Sequence, residues 1–209
     1  MSQFFSRLPV VFSGLIAGLL LTLSGCASLQ QGVTFTRDLS TEAKPVVSAQ
    51  LSTRFQQAMQ QLNSGHLAEA EVLLEQLLAE YPKQPQVVLN LGLLGLKRGK
   101  NEQAVAHLET ATTFSATRSA AFNQLGVFYR QQGEFKKAEQ RYRLAFKDDA
   151  SYAVAHKNLA ILYELYLGKF PQALDHYQQY QQLQKTADPQ VARWIKGLQR
   201  RLKKGKRDV

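Results

Sequence analysis

From Leu51 onward, apolar residues recur at the three-and-four spacing of amphipathic helices, and they recur in columns. Gly65, Gly99 and Gly133 stand 34 residues apart, and so do Ala70, Ala104 and Ala138. Leu74, Leu108 and Tyr142 keep the same step, as do Leu77, Ala111 and Ala145, and Leu91, Leu125 and Leu159. Gly92, Gly126 and Ala160 form a sixth column. Within each period the pattern reads as an apolar helical stripe, a glycine that ends it, and a second stripe. A helix pair of this size leaves one apolar face open, so consecutive units must stack. The register divides the chain into units 51–84, 85–118, 119–152 and 153–187. In the fourth unit, Leu159-Ala160 and Tyr163 keep register, but Gly168, Ala173, Tyr177 and Tyr180 fall one residue late. The class predicted is all-α: a solenoid of about four helix pairs over 51–186.

The columns resemble the tetratricopeptide repeat, whose period is about 34 residues. The third unit carries the resemblance best. Phe122 stands at the first aromatic position, followed by Leu125-Gly126, Tyr129, Gly133, Ala138, Tyr142 and Ala145. The second unit matches with Leu91-Gly92, Gly99, Ala104, Leu108 and Ala111, and has Gly95 where tyrosine is usual. The first unit matches in its second helix, through Gly65, Ala70, Leu74, Leu77 and Pro82, while Arg54, Gln57 and Gln61 occupy positions usually apolar. The resemblance implies a right-handed solenoid. It also implies that the first helices line a concave groove holding a partner peptide or helix. The matching groove positions are Gln86, Leu89, Leu93 and Lys97, then Ala120, Asn123, Val127 and Arg130, then Val154, Lys157, Ile161 and Glu164.

A stack needs an end cap. Asp188-Pro189 is a helix-start pair, a capping carboxylate before a proline at the first position. Val191, Trp194, Ile195, Leu198 and Leu202 follow at helical spacing, so 188–209 reads as a capping helix with a basic tail, Trp194 packing inward. The stretch from Ala27 to about Gln50 is rich in Ser, Thr and Gln and Ala43-Lys44-Pro45 argues against helix; it is expected to be a flexible linker spanning roughly 25–30 Å.

The start of the chain follows a different logic. Arg7 is the one charge before an uncharged apolar stretch, Leu8 to Leu23, which ends in Leu23-Ser24-Gly25-Cys26. A charged start, an apolar stretch and small residues form the layout of an export signal. At 16 residues the stretch is shorter than the roughly 20 that cross a bilayer as a helix. Leu23-Ser24-Gly25-Cys26 resembles the lipobox of bacterial lipoproteins. That resemblance implies a signal peptide at 1–25, cleavage before Cys26, and a diacylglycerol on its sulfur as the covalent lipid. Ala27, where an aspartate would retain such a protein in the inner membrane, implies an outer-membrane anchor facing the periplasm. Cys26 is the single cysteine, so an intramolecular disulfide cannot account for it.

The net charge of +10 is unevenly placed. Residues 189–209 hold eight Lys/Arg and one Asp, with Arg200, Arg201, Lys203, Lys204, Lys206 and Arg207 forming a dense cationic end. Near a phosphate-rich surface each such charge contributes about 1 kcal/mol. No catalytic constellation is present. His66, His107, His156 and His176 are scattered without metal-ligand spacing, no cysteine remains for zinc, and the glycines belong to the repeat rather than to a phosphate loop. No cofactor beyond the lipid on Cys26 and no enzyme activity are expected, and the export signal argues against nucleic acid.

The expectation is therefore a lipid-anchored adaptor whose groove holds another envelope protein. It resembles the repeat lipoproteins of type IV pilus secretin assembly and those accompanying TonB-type systems. The alternative is a structural envelope protein that binds lipopolysaccharide or peptidoglycan through the basic tail. For the anchor, Cys26→Ser is expected to move the chain from the membrane fraction to the soluble fraction and to abolish the lipid mass increment. Membrane retention without that increment would exclude lipidation at Cys26.

Overall fold

The computed structural model describes residues 39–147 and 149–205, with side chains from Ser48. Among the described residues there are nine helices and no strand. They are α1 (Leu39–Asn63), α2 (Leu67–Glu80), α3 (Pro85–Lys97), α4 (Asn101–Thr112), α5 (Arg118–Gln131), α6 (Phe135–Ala145), α7 (Ala153–Leu165), α8 (Phe170–Leu183) and α9 (Pro189–Gly205). Each odd helix from α1 to α7 packs chiefly on the even helix that follows, each pair packs on the next, and α9 lies on α8. None of these helices is long and apolar enough to cross a membrane.

The turns inside the pairs show why glycine recurs. Gly65, Gly99, Gly133 and Gly168 have φ of 84°, 73°, 75° and 64°, the left-handed region where a side chain is strained. At the first of them Gly65 N–H donates to the Leu62 carbonyl (3.2 Å) and His66 N–H to the Gln61 carbonyl (2.9 Å), which satisfies the last carbonyls of α1. Lys100 and Glu134 reach back five residues in the same way, at 2.9 Å each. In the fourth unit Lys169 N–H bonds the Tyr163 carbonyl six residues back, at 2.9 Å. The extra residue of that unit is therefore taken up in the turn, and α8 resumes the register one step late.

Packing within a pair depends on small residues opposite large ones. A Cβ placed on Gly126 would lie 2.5 Å from Cδ1 of Tyr142, and one on Gly92 would lie 2.7 Å from Cγ of Leu108. A Cβ on Gly95 would lie 2.9 Å from that of Ala104, so the position where tyrosine is usual is here a helix-to-helix contact. Leu108 and Tyr142 thus seat on the glycines of their own pair. Both also belong to clusters shared with the next unit, Leu108 with Ala121 and Leu125, Tyr142 with Leu159 and Tyr163. Leu78 and Tyr129 each border two clusters, so apolar contact runs from α1 to α9.

The two ends differ from the sequence-based picture in one respect. The expected linker to residue 50 is helical from Leu39, and α1 passes through Pro45. Pro45 deprives the Thr41 carbonyl of its donor but leaves the later ladder untouched, and Ser40, Thr41 and Glu42 are residue types suited to a first turn. The signal peptide, Cys26 and the remainder of the linker to Asp38 lie outside the described residues. At the other end, Asp188 Oδ1 accepts hydrogen bonds from the backbone N–H of Gln190 (2.9 Å) and Val191 (3.2 Å). Those bonds, the Val191 one foremost, hold its carboxyl below the usual range. Val191 and Leu198 are buried, Trp194 and Ile195 pack beside them, and Trp194 meets Tyr177 at 5.4 Å between ring centroids.

Two glycine substitutions test this packing. Gly126→Ala must push back the Tyr142 ring and is expected to destabilise the fold by about 1–3 kcal/mol. Gly197→Ala meets nothing within 4 Å on α9 and is expected to stabilise by about 0.5–1 kcal/mol. Urea unfolding of both variants checks the opposite signs.

Candidate functional site

The first helices of the middle units form one layer, since α3 contacts α5 and α5 contacts α7. The groove positions implied by the repeat lie on this layer, but the structure sorts them into three kinds. Leu89, 8% exposed, and Asn123, 1% exposed, are interior. Leu89 packs with Val88, Leu108 and Leu125, and Asn123 Oδ1 accepts a hydrogen bond from Asn158 Nδ2 at 2.8 Å. That repeat position has little open surface: it faces inward on α3 and on α5, and on α5 the amide pair ties the helix to α7.

A second group is half-buried and committed to neighbours. Glu164 accepts a hydrogen bond from the Tyr177 hydroxyl (2.9 Å). Burial first, then that bond, pushes the tyrosine far above its ordinary value. Lys157 donates to the Tyr180 hydroxyl at 3.3 Å and sits 3.9 Å from Asp188, so it helps hold the α8–α9 junction. Arg130 lies with its guanidinium carbon 5.7 Å from the Tyr166 ring centroid. Its Nε and the Tyr142 hydroxyl are both buried and, among the described residues, neither meets a partner in full hydrogen-bond geometry. Burial pushes Tyr142 up to about 12, with the Arg130 charge opposing.

The third group is available. Lys97 and Gln86 are exposed, and Leu93, Ala120, Val127 and Ile161 are half-buried. Val154, Leu165 and Tyr166 add exposed apolar surface on and just after α7, with Leu165 at 68%. Val154 was among the implied positions; Leu165 was not. The repeat carries the signal for it, because Leu165 follows Lys97 and Gln131 at the same 34-residue step. The layer therefore presents an apolar strip, Leu93–Val127–Ile161–Leu165, edged by Lys97.

The basic end is partly structural. Arg201 stacks on the Phe170 ring, its guanidinium carbon 3.9 Å from the centroid, and so fastens α9 to the start of α8. Arg200, Lys203 and Lys204 are exposed on α9, where no acidic residue occurs; Lys206 and Arg207 lie outside the described residues.

The histidines are not all scattered. Nδ1 of His156 on α7 and Nδ1 of His176 on α8 are 2.9 Å apart. The sequence spacing hides this pair, but the repeat register contains it. Phe122 and Arg141 hold the equivalent places in the third unit and also meet, at 5.9 Å. Two imidazoles fall short of the three or four ligands of a zinc site, and among the described residues no group of three or more His, Cys, Asp or Glu could hold a metal.

Residues 61–125 and 121–148 match the tetratricopeptide repeat. Among solved structures, pilF of Pseudomonas aeruginosa superposes with a TM-score of 0.64 at 20% identity, over 74% of this chain and 69% of that one. MamA superposes with a TM-score of 0.56 at 18% identity, over 67% of this chain and 83% of that one. A protein O-mannosyl-transferase of Caenorhabditis elegans is 26% identical over 102 residues. That match spans 47% of this chain but 15% of the relative, so the enzyme's name describes a protein mostly unlike this chain. These likenesses agree with the helix-pair stack and its glycine-ended turns: residues 61–148 carry tetratricopeptide repeats, within an all-α solenoid of helix pairs.

Proposed function

We propose that the chain is a lipid-anchored adaptor of the bacterial envelope, holding a protein partner on the layer of α3, α5 and α7. The observation that carries this reading is the strip Leu93–Val127–Ile161–Leu165, left partly or largely open along the layer of first helices. Tetratricopeptide repeats bind protein partners, and an apolar strip edged by polar groups suits an amphipathic helix or extended segment. The Leu23-Ser24-Gly25-Cys26 sequence supports a lipid anchor, and Ala27 after it supports an outer-membrane one that faces the periplasm. The likeness to pilF in fold supports a pilus or secretin assembly role among the envelope machines, with a TonB-type system as the other candidate.

The second reading, attachment to lipopolysaccharide or peptidoglycan through the tail, is favoured by the acid-free exposed face of α9. In-cell photocrosslinking separates the two. A photoreactive residue at Val127 or Leu165 is expected to capture an envelope protein, while one at Lys203 captures none. Glycan or lipid adducts from Lys203, with nothing from either groove position, would overturn the adaptor reading.

Asn123→Ala checks the sorting of groove residues. It leaves the Asn158 amide without its partner and is expected to cost about 1–3 kcal/mol of stability. Ile161→Ser would act mainly on partner capture. Equal losses of stability from both variants would contradict that division.

A further inference from the structure

Two repeat positions, one on the first helix of a pair and one on the second, come together in the third and fourth units. In the second unit these are Val88 and His107, in the third Phe122 and Arg141, and in the fourth His156 and His176. Only the fourth unit puts two titratable groups of like kind there. The site is enclosed: His156 is 5% exposed and lies stacked on Phe146, 4.2 Å between centroids at 17°. His176 meets Phe146 at 5.9 Å and Tyr163 at 5.7 Å. The rings thus sit in an aromatic enclosure built by the end of α6, by α7 and by α8.

At 2.9 Å, two Nδ1 atoms can share a single proton: one ring donates Nδ1–H and the other accepts with a bare Nδ1. The arrangement tolerates the neutral pair. It does not tolerate a proton on both Nδ1 atoms, because two donors, each on a cation, would then face each other. We propose that the His156–His176 pair is a pH-sensitive latch on the last helix pair, closed when one Nδ1 proton is shared and opened when acid protonates both rings.

The charged surroundings set the direction. Asp175, next to His176 on α8, favours protonation of both rings, and Glu139 of α6 favours it at His176. Arg143 of α6 opposes it, and Glu139 is itself held by Arg143, Lys169 and the Tyr163 hydroxyl. Burial outweighs the acids. It pushes His156 below its ordinary value, and burial together with His156 pushes His176 down to about 4. An unfolded or opened histidine takes its proton near pH 6.5, about the reference value. The open state therefore binds protons that the closed state refuses. Latch stability is complete above about pH 6.5 and falls as pH drops from there through the folded values. The consequence reaches the groove and the cap together, since α7 carries Ile161 and Leu165 while Tyr177 of α8 supports Trp194.

Trp194 is the single tryptophan of the chain and sits on α8 through Tyr177, so its emission reads this packing. The full chain in nonionic detergent is titrated from about pH 8 to pH 4. The expected result is a reversible red shift of Trp194 emission in the lower part of that range. It should be lost or displaced downward in His156→Phe and His176→Phe, and retained in a His66→Gln, His107→Gln control. Far-UV circular dichroism at the upper pH confirms that each variant is folded. As a measurement independent of the variants, imidazole ¹⁵N NMR of the unaltered chain at neutral pH should show one protonated and one bare Nδ1 for this pair. A red shift that persists unchanged in both Phe variants, no shift in the unaltered chain, or two bare Nδ1 atoms would overturn the latch. This outcome is independent of what occupies the groove.

Discussion

The spacing between the two helices of a pair is the constraint on which the rest of this structure depends. Gly126 lets the Tyr142 ring lie against the backbone of α5, and Gly92 does the same for Leu108 against α3. With the helices that close, each large side chain still reaches the cluster of the following unit, and one set of residues serves two interfaces. Leu89 and Asn123 are interior because the first helices of neighbouring units also approach, α3 to α5 and α5 to α7. A helix pair set further apart would bring different residues to the surface. Function in such a stack rests on the packing distance as much as on the residues displayed.

The periodic part of the fold is legible because its cause is periodic. A glycine is needed wherever a turn takes positive φ, and a small residue wherever two backbones approach, so both recur at the repeat length. The slip in the fourth unit is legible for the same reason, as is Trp194 packing beneath α9. What the sequence hides are contacts made once. The Asn123–Asn158 bond joins two units, and nothing local in the sequence marks either amide as buried. The His156–His176 contact becomes visible only when the fourth unit is aligned with the third and the inserted turn residue is allowed for. The helical run from Leu39 is hidden by Pro45, which in a sequence read alone weighs against helix more than one missing donor does in place.

The C-terminal third concentrates the polar interactions. Glu139 draws together Tyr163, Arg143 and Lys169, and the Tyr177–Glu164 and Lys157–Tyr180–Asp188 contacts join α7, α8 and α9. The N-terminal pairs rest on packed Leu, Val and Ala side chains, with ion pairs from Glu71 to Arg98 and Lys100 and from Arg54 to Glu80. Apolar packing is indifferent to pH, whereas bonded histidines and carboxylates are not. The C-terminal end thus adds a buried histidine pair and a network of tyrosine, carboxylate and lysine contacts to the apolar stack. That end carries part of the strip proposed for a partner and all of the described basic face.

Hydrogen exchange of the full chain, followed helix by helix, tests most directly whether stability resides in contacts between neighbouring units. If it does, α3 to α6 exchange most slowly, because pairs cover them on both sides, and protection declines in steps toward α1 and toward α9. If α5 and α6 open before their neighbours, or if α1 or α9 is the most protected element, the interlocked stack described above is not what holds this protein together.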